Sequence, residues 1–532
     1  MSQLQVGILQ EKPGWQQILS QEGLSFIQCA CQSPIRPEDF AVLILNRHLS
    51  SSEIRTVKDY LEMGGAILTD ARYFQEIQPT LKFQPKRIQY IIPPEEEIFT
   101  SVSLVDLYLK GYGNRVMQGS CGKGYFIILP FDANQTILDR RTKRKAFYAA
   151  TKRLPDEKVS LVNKGEVRKL VINCLRQLYH KRNLPYLHFW YYPHNHQSVF
   201  ALRIDTDFAN LHQMRQTYEL LKNNQICASW FVDVKSHLNI LDEMAQWQKQ
   251  GQEIGVHCFE HYVWRSFKRN YENIKKARGL LKENSIESFG FTAPFGVWNE
   301  NLARVLETLG FSYSSEFSLN YDDFPFYPFI GEKNSVLQVP IHPICIGSFR
   351  FAKFSQKEMK DYFARIIDEK YKRREPIFLY YHPKDTNLEV LDFIINRVKE
   401  KENLWVTNFG QFVKFWKERK QMHYVPTLEN NIINIKSDPS NASFSSFTKE
   451  DVAACHFHLI SPSGEEFFSP VNSGRIDLSQ ISWKMLPSPI KFDKRMLKVK
   501  KRKWFLVLRD LENWFYQYRL AKVAKILQSH KK

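Results

Sequence analysis

Cysteine pairs of the CxxC type and membrane-length apolar runs are both lacking in this sequence. The 532 residues include eight scattered cysteines, and no two of them form a CxxC pair. Such scattered thiols are typical of reduced side chains rather than of a disulfide framework. No apolar run approaches the roughly 18 residues that a membrane span requires. The segment MSQLQVGILQEKPGW has no positively charged region before its short apolar stretch, so we expect no secretory signal and a cytoplasmic protein.

Acidic residues are scarce in comparison with basic ones. Lys and Arg number 75 against 56 Asp and Glu, which leaves a net charge of +19. Residues 491–532 alone hold 14 basic side chains and three acidic ones. A surplus of this size favours an anionic neighbour such as nucleic acid, phospholipid or a phosphorylated substrate. Because no helix-turn-helix, zinc-finger or aromatic RNA-binding signature accompanies the charge, nucleic acid is the least favoured of these.

Residues 1–185 alternate between strand-like and helix-like segments. DFAVLILN predicts a strand, SSSEIRTVKDYLEM predicts an amphipathic helix with a serine cap, and AILTD and GKGYFIILPFD predict further strands. This succession implies parallel pairing in an open α/β layer domain of flavodoxin type. The segment GSCG at residues 119–122 is followed by Lys123 where a nucleophile elbow needs glycine. We therefore predict a tight turn there and a non-catalytic domain.

Residues 186–425 continue the alternation at longer spacing. Seven apolar segments predict strands, and segments of helical periodicity such as NIKKARGLLKE separate them. Repeated strand–helix units over this length predict a distorted parallel (β/α) barrel of seven or eight strands. The seven segments are SVFALRID, ICASWFVD, QEIGVH, SFGFTAP, SVLQVPIH, PIFLYYH and NLWVTN.

Two smaller regions follow the barrel. Residues 426–490 begin with a polar linker and continue with alternating runs such as AACHFHLI, which predict a small β-rich module. Residues 491–532 predict a basic helical tail with one apolar stripe at three- and four-residue steps. Such a helix either lies on an anionic membrane surface or docks on the barrel with its basic face in solvent. The stripe consists of Trp504, Leu508, Leu511, Phe515 and Tyr518.

Carboxylates and imidazoles stand at the ends of three predicted strands. FALRIDTD contains Asp205 and Asp207, EIGVHCFEH contains His257 and His261, and IFLYYHP contains His382. The C-terminal ends of barrel strands are where active sites assemble, and these ligand types suit a divalent metal that ionises water in a hydrolase. The i, i+4 spacing brings the two imidazoles of EIGVHCFEH to one face of a helical turn. The alternative is a pair of helix-capping aspartates and a packed histidine.

The order of these segments resembles the NodB-homology polysaccharide deacetylases over roughly residues 198–410. DTD at residues 205–207 is similar to the paired aspartates of the family's first motif, and HCFEH at residues 257–261 to the two histidines of the second. TAPFG at residues 292–296 is similar to the third motif, and His382 to the histidine of the last. In residues 1–185, YLEMGGAILTD and GKGYFIILPFD resemble segments of class I glutamine amidotransferase-like domains.

The deacetylase resemblance implies a metal-dependent hydrolase that removes N-acetyl groups from a carbohydrate or glycan precursor. In the family pattern, Asp207, His257 and His261 would hold the divalent ion, and zinc is the expected metal. Asp205 would act as general base, and His382 would protonate the departing amine. Four more residues are predicted to bind substrate, although hydrogen bonding within the protein would equally explain the last two: Thr292, Pro294, Glu316 and His342.

Two departures from the family pattern leave an alternative open. Thr292 stands where the family commonly has an arginine that orients the base. The first motif is Asp-x-Asp rather than Asp-Asp, so Asp205 and Asp207 could exchange their roles. The alternative is a catalytically inactive barrel that binds sugar or serves as a scaffold. For the active form, we expect an acetylated sugar substrate and a cytoplasmic enzyme, peripheral to the membrane if the tail binds anionic lipid.

Overall fold

The structure is a computed structural model that describes residues 1–30, 34–113, 115–150, 154–331, 333–437 and 454–501. Within these ranges, no helix combines the length and apolar character needed to cross a bilayer. The predicted stripe from Trp504 to Tyr518 lies outside the described residues, so the lipid-binding tail stays a prediction. The last described helix, Met496–Lys501, begins the basic tail, and its Val499 is buried in the barrel's main core cluster.

A six-stranded sheet lies at the centre of the N-terminal region. Five of its strands are parallel, and the sixth pairs antiparallel at one edge. In spatial order the strands are Phe26–Gln28, Val6–Ile8, Val42–Leu45, Ala66–Asp70, Gly124–Leu129 and Met117–Cys121. The helices of this region are Pro13–Glu22, Ser51–Glu62, Ala71–Ile77, Ala133–Ile137 and Lys164–Lys181. Two antiparallel hairpins add Lys86–Ile91 with Val105–Gly111, and Thr142–Ala146 with Asp156–Ser160.

The predicted serine-capped helix forms because its first turn satisfies its own backbone donors. Ser50 Oγ accepts from the Glu53 amide at 3.4 Å, and the Glu53 carboxylate accepts from the Ser50 amide at 2.8 Å, which is the reciprocal pattern of a capping box. After the helix, Gly64 has a φ of 110° that other residues avoid. The prediction of a strand, a capped helix and a second strand is confirmed.

The GSCG segment is the tip of an antiparallel hairpin. Cys121 ends the strand Met117–Cys121 and pairs with Gly124 of the next strand. Gly122 has a φ of 57°, and a Cβ placed on it would come within 2.7 Å of the Glu62 Cα. Only glycine fits this close approach, so the tight turn is confirmed and no nucleophile elbow is present at Cys121.

Eight parallel strands form the barrel. Seven of them make one continuous path, in the order Leu337–Gln338, Tyr313–Ser314, Gly290–Phe291, Glu253–Val256, Ser229–Val232, Ser198–Asp205 and Ile377–Tyr381. The eighth, Leu404–Val406, pairs with the start of Ser198–Asp205. The two ends of the path are joined by a backbone hydrogen bond of 2.9 Å from the His342 amide to the Phe378 carbonyl. The predicted distorted parallel barrel is confirmed.

Helices cover the outside of the barrel, and the strand ends that carry the polar residues all open at one mouth. Buried aliphatic and aromatic side chains of the strands and helices form one core cluster that includes Trp230, Ile254 and Leu379. The helices are Leu211–Asn223, Leu241–Lys249, Phe267–Glu283, Glu300–Thr308, Ile346–Phe351, Gln356–Lys372, Leu388–Lys399 and Phe409–Gln421. Parallel strands point their C-terminal ends in the same direction, so the residues that follow them are neighbours in space.

The C-terminal β-strands pair with distant parts of the chain. One antiparallel sheet has the order Ser2–Gln3, Tyr424–Glu429, Ile432–Ser437 and Arg475–Asp477. The other has the order Tyr186–Phe189, His456–Ile460, Glu465–Pro470 and Lys484–Met485. These strands share a core cluster with the N-terminal sheet. The predicted β-rich segment is therefore packed against the N-terminal region, while the boundaries drawn at 185, 425 and 490 stay a prediction.

Candidate functional site at the barrel mouth

Three side chains from two strand ends converge on one point. Asp207 Oδ1 lies 3.1 Å from His257 Nε2 and 3.0 Å from His261 Nε2, and the two imidazole nitrogens lie 3.1 Å apart. Ligands held about 2.1 Å from a tetrahedral ion lie about 3.4 Å from each other. One carboxylate and two imidazoles at these separations fit a divalent ion such as zinc. The structure thus brings the three predicted ligands together as one possible metal-binding triad.

His257 is oriented by the strand beside its own. Its Nδ1 lies 2.8 Å from both the carbonyl oxygen and the hydroxyl of Thr292. A carbonyl can only accept, so Nδ1 carries a proton toward Thr292, and Nε2 is the nitrogen that faces Asp207 and His261. A backbone partner of this kind holds a ligating imidazole in the required tautomer and ring orientation.

Asp207 is held by a strained turn after the first barrel strand. Asp207 and Phe208 have φ values of 30° and 59°, a region that non-glycine residues rarely occupy. The turn is fixed by Thr206, whose amide donates to the Phe231 carbonyl at 3.1 Å and whose hydroxyl accepts from the Asp233 amide at 2.9 Å. Backbone strain that neighbouring bonds maintain in this way is a common feature of functional sites.

Asp205 is paired with an arginine from its own strand. Arg203 Nη2 and Nε donate to Asp205 Oδ2 at 2.6 and 3.1 Å, and the arginine side chain is only 1% exposed. Arg203 also donates to the Ser315 carbonyl at 2.7 Å, and its guanidinium lies 4.9 Å from the centre of the Tyr380 ring. Sequence analysis missed Arg203. The signal available in the sequence was a charged residue within a buried strand. This residue stands two positions before Asp205, so the two side chains lie on the same face of the strand.

His382 lies beside both aspartates. Its Nε2 is 3.6 Å from Asp207 Oδ2 and 4.0 Å from Asp205 Oδ2, and its Nδ1 is 3.2 Å from Asp385 Oδ2. Burial alone would lower the pKa of His382, but the charge of Asp207 and the hydrogen bond to Asp385 raise this pKa well above its ordinary value. The raised pKa favours the protonated imidazole, which can donate from Nε2.

The charges of the triad favour a cation at its centre. Burial opposes ionisation of Asp207, yet His261 and His382 hold the pKa of this carboxyl well below its usual range. For His257, burial lowers the pKa, while the hydrogen bond to Asp207 and the charge of Asp205 raise it more. Ionised carboxylates beside protonatable imidazoles bind positive charge, either as protons or as a metal ion.

One protein-family model matches part of the barrel. Residues 196–314 match the family model described as Polysaccharide deacetylase. This part of the barrel is similar to that family. The matched residues contain Asp205, Asp207, His257 and His261, whereas His382 lies beyond them. They do not include residues 1–185, so the amidotransferase resemblance of that region stays a prediction.

Solved structures of deacetylases are similar to part of the chain. A putative polysaccharide deacetylase from Mycobacterium smegmatis is 15% identical, with a TM-score of 0.38, over 43% of this chain and 93% of that one. A probable polysaccharide deacetylase from Pseudomonas aeruginosa PAO1 is 14% identical, with a TM-score of 0.35, over 42% and 93%. A family 4 carbohydrate esterase pseudoenzyme from Bacillus anthracis is 15% identical, with a TM-score of 0.30, over 41% and 66%. No curated protein matches the chain.

Two of the predicted substrate-binding residues follow the barrel strand Gly290–Phe291. Thr292 is buried and uses its carbonyl and hydroxyl on His257, and its hydroxyl is also 3.5 Å from Asp205 Oδ1. Pro294 is buried at the start of the turn Pro294–Gly296. Thr292 therefore orients a ligand of the triad, and contact of either residue with substrate stays a prediction.

The other two predicted substrate-binding residues are occupied by protein donors and acceptors. Glu316 is 1% exposed, and its carboxylate accepts from the Ala293 amide at 3.1 Å and from the Ser314 hydroxyl. Burial raises the pKa of Glu316 to about 7. His342 lies 3.0 Å from both Asp322 Oδ2 and the Tyr362 hydroxyl. These contacts match the alternative of hydrogen bonding within the protein, which the sequence had left open for both residues.

The rim of the site at the barrel mouth is aromatic and basic. Phe208 and Phe295 are 60% and 53% exposed, and their rings lie 4.9 and 5.4 Å from the His261 ring, centre to centre. Lys384 Nζ donates to Asp207 Oδ2 at 3.0 Å. Sequence analysis did not select Phe208, Phe295 or Lys384 individually, because solvent exposure beside the triad is what distinguishes them from packed aromatic residues and surface lysines.

Proposed function

We propose that the deacetylase domain hydrolyses the acetamide group of an N-acetylated sugar. The observation that carries this proposal is the position of a possible metal-binding triad between the Asp205 carboxylate, which is paired with Arg203, and the His382 imidazole. Hydrolysis of an amide needs an activated water, a base that takes its proton and an acid that protonates the departing nitrogen. The match over residues 196–314 supports an acetylated carbohydrate as the substrate class.

The triad would hold the metal through Asp207 Oδ1, His257 Nε2 and His261 Nε2. When bound there, a divalent ion such as zinc makes water acidic near neutral pH and polarises a carbonyl group. The bond from His257 Nδ1 to Thr292 places the proton of the neutral imidazole on Nδ1, so that Nε2 would be the ligating atom. The strained turn at Asp207 directs the carboxylate toward the two imidazoles.

Asp205 is the general base in this proposal. Arg203 holds its Oδ2 with two charge-assisted hydrogen bonds, which fix the orientation of the carboxylate. Asp205 then accepts a proton from the attacking water. Arg203 thus supplies a cation beside the base from two positions earlier on the same strand, whereas the family commonly supplies it from the position of Thr292. The missing arginine at position 292 is therefore no longer a reason to expect an inactive barrel.

His382 is the general acid in this proposal. Asp385 accepts from its Nδ1, so the remaining proton on Nε2 faces Asp205, Asp207 and the centre of the site. Donation from Nε2 to the departing nitrogen completes the cleavage of the carbon–nitrogen bond, and the products are acetate and a free amino sugar. The nearby Cys345 Sγ, 3.8 Å from Nδ1, adds a second contact that restrains the ring.

The experiment that tests this proposal measures metal and acetate on the same variants. The parent protein should bind about one zinc per chain and release acetate from an N-acetylated oligosaccharide. Replacing His257 and His261 with alanine should abolish metal binding. Asp205→Asn should keep the metal and lower acetate release by roughly a hundredfold or more, because this is what a general base typically contributes.

Three outcomes would change the assignment. Undiminished metal in the double alanine variant would overturn the triad. Loss of metal in Asp205→Asn would mean that Asp205 and Asp207 have exchanged roles. A parent protein that binds acetylated sugars without releasing acetate would establish the alternative, a catalytically inactive binding or scaffold protein.

We also propose a cytoplasmic setting with peripheral attachment to an anionic membrane through the tail. The support is the charge of residues 491–532, with 14 basic and three acidic side chains. At its start, the tail contacts the segment between the strands Thr142–Ala146 and Asp156–Ser160, since the Arg495 guanidinium lies 5.1 Å from the centre of the Tyr148 ring. Attachment of this kind would bring the deacetylase site close to lipid-linked sugars.

A further inference from the structure

A hairpin from outside the barrel packs on the barrel mouth. We call the strands Thr142–Ala146 and Asp156–Ser160 the mouth hairpin. The Ser160 amide donates to the Phe317 carbonyl at 3.2 Å, and Lys145 Nζ donates to the Tyr321 hydroxyl at 3.1 Å. Both acceptors follow the barrel strand Tyr313–Ser314, on the side where strand C-termini open. The N-terminal region therefore contributes a wall to the deacetylase site.

One face of the mouth hairpin is turned toward the site. Val159 is fully buried in the same core cluster as Phe317 and Tyr380 of the barrel. Side chains alternate along a strand, so Glu157 lies on the same face as Val159, and Lys158 lies on the opposite, exposed face. The Glu157 carboxylate interacts electrostatically with His382 and with Tyr380.

The Glu157 carboxylate is open to a ligand at this position. Its side chain is 24% exposed, its Oε1 accepts from the Lys158 amide at 2.7 Å, and Arg144 Nη1 lies 3.9 Å from the same oxygen. These contacts hold the carboxylate in place at the edge of the cleft. Its charge acts on His382, the group that faces the departing nitrogen in the proposed reaction.

We propose that Glu157 is a specificity-determining residue that accepts hydrogen bonds from donor groups on the sugar that carries the acetamide. This inference rests on the proposed deacetylase function. A carboxylate binds hydroxyl and ammonium donors and repels anionic groups. The ligand class is thus a neutral or cationic saccharide, whose donors are either ring hydroxyls or the free amino groups of a partly deacetylated chain.

The test compares a saccharide with an acetyl compound that has no sugar. The probes are a fully N-acetylated chito-oligosaccharide, a partly deacetylated one and p-nitrophenyl acetate, each used with the zinc-loaded full chain. In Glu157→Gln, kcat/KM for the saccharides divided by kcat/KM for the ester should fall about tenfold, since a hydrogen bond to a charged group contributes on that order. The loss should appear mainly in KM.

The two saccharides identify the donor. An equal loss for both shows that Glu157 binds hydroxyl groups, and a larger loss for the partly deacetylated chain shows that it binds ammonium. The matched control is Lys158→Ala, on the opposite face of the same strand, which should leave the ratio unchanged. Zinc content measured on each variant verifies the fold of the site.

The outcomes separate this inference from the proposed function. If the parent hydrolyses the probes and Glu157→Gln shows the parent's ratio, the specificity role of Glu157 is wrong and the deacetylase function stands. If saccharide and ester activities fall together in Glu157→Gln, the residue supports the site rather than the substrate, and the inference is also wrong. A parent that hydrolyses none of the probes overturns both.

Discussion

Removing the Arg203 guanidinium is the most informative single perturbation of this site. In Arg203→Met, the Asp205 carboxylate stays buried but loses both hydrogen bonds to Oδ2, of 2.6 and 3.1 Å. A buried ion pair that loses one partner typically costs about 3 to 5 kcal/mol of unfolding free energy, because the other charge is left uncompensated. At about 2 to 4 °C per kcal/mol, the thermal midpoint of the barrel should fall by roughly 6 °C or more.

A second substitution separates the charge effect from lost packing. In Arg203→Met combined with Asp205→Asn, no charge is left uncompensated, so most of the lost stability should return. The control is Arg215→Met, which removes a pair with Glu243 whose side chains are 54% and 38% exposed. Exposed pairs of this kind contribute about 1 kcal/mol or less, so the midpoint should hardly move.

Activity provides an independent reading of the same residue. Arg203→Met should lower acetate release by as much as about a hundredfold, because the general base loses its orientation. Adding Thr292→Arg, at the position where the family commonly has arginine, should restore part of this activity. The reasoning is refuted if Arg203→Met matches the parent in thermal midpoint and acetate release, or if the double variant with Asp205→Asn is no more stable than Arg203→Met.

Two further predictions concern pH and lipid. Burial lowers the pKa of His458 to about 3, so below its ordinary pKa near 6.5 the unfolded chain binds a proton that the folded chain does not. Stability should therefore fall as the pH drops from 6.5 toward 3, by at most about 1.4 kcal/mol per pH unit from this group. The thermal midpoint should depend less steeply on pH in His458→Gln than in the parent protein, and the exposed control His212→Gln should keep the parent's pH dependence. Equal slopes of midpoint against pH in all three proteins would contradict this assignment. For the tail, the full chain should sediment with anionic liposomes at moderate salt, whereas a chain that ends before Lys491 should not. Equal binding of the two chains would refute membrane attachment through the tail.

The barrel was largely predictable because its strands are continuous apolar runs. Ser198–Asp205 coincides with the predicted SVFALRID segment, and the other six predicted segments each contain a barrel strand. Tyr313–Ser314 was missed, since a strand of two residues leaves no periodicity to detect. The metal triad was predictable as well, because parallel strands bring residues at their C-terminal ends together whatever the details of packing.

Contacts between distant segments were beyond a reading of local patterns. Position at a strand end marks His342 as strongly as it marks His257, but the His342 side chain points to protein partners, and only tertiary packing decides that direction. Glu157 belongs to a hairpin whose docking on the barrel leaves no trace in its own sequence. Arg203, in contrast, could have been predicted, since the sequence shows a charged residue inside a buried strand. The family pattern instead directed attention to position 292.

The pairing of chain ends has a consequence for the order of folding. Gln3 pairs with Thr427, and Tyr186 pairs with Ile460. At synthesis rates of about 5 to 20 residues per second, the first of these strands waits roughly 20 to 85 s for its partner to be made. Until then, the core shared by the N-terminal and C-terminal strands is incomplete, and unpaired strand edges of this kind are prone to association with other chains. A nascent chain stalled within the barrel would therefore expose apolar surface that the finished protein conceals, and would be a natural client for chaperones.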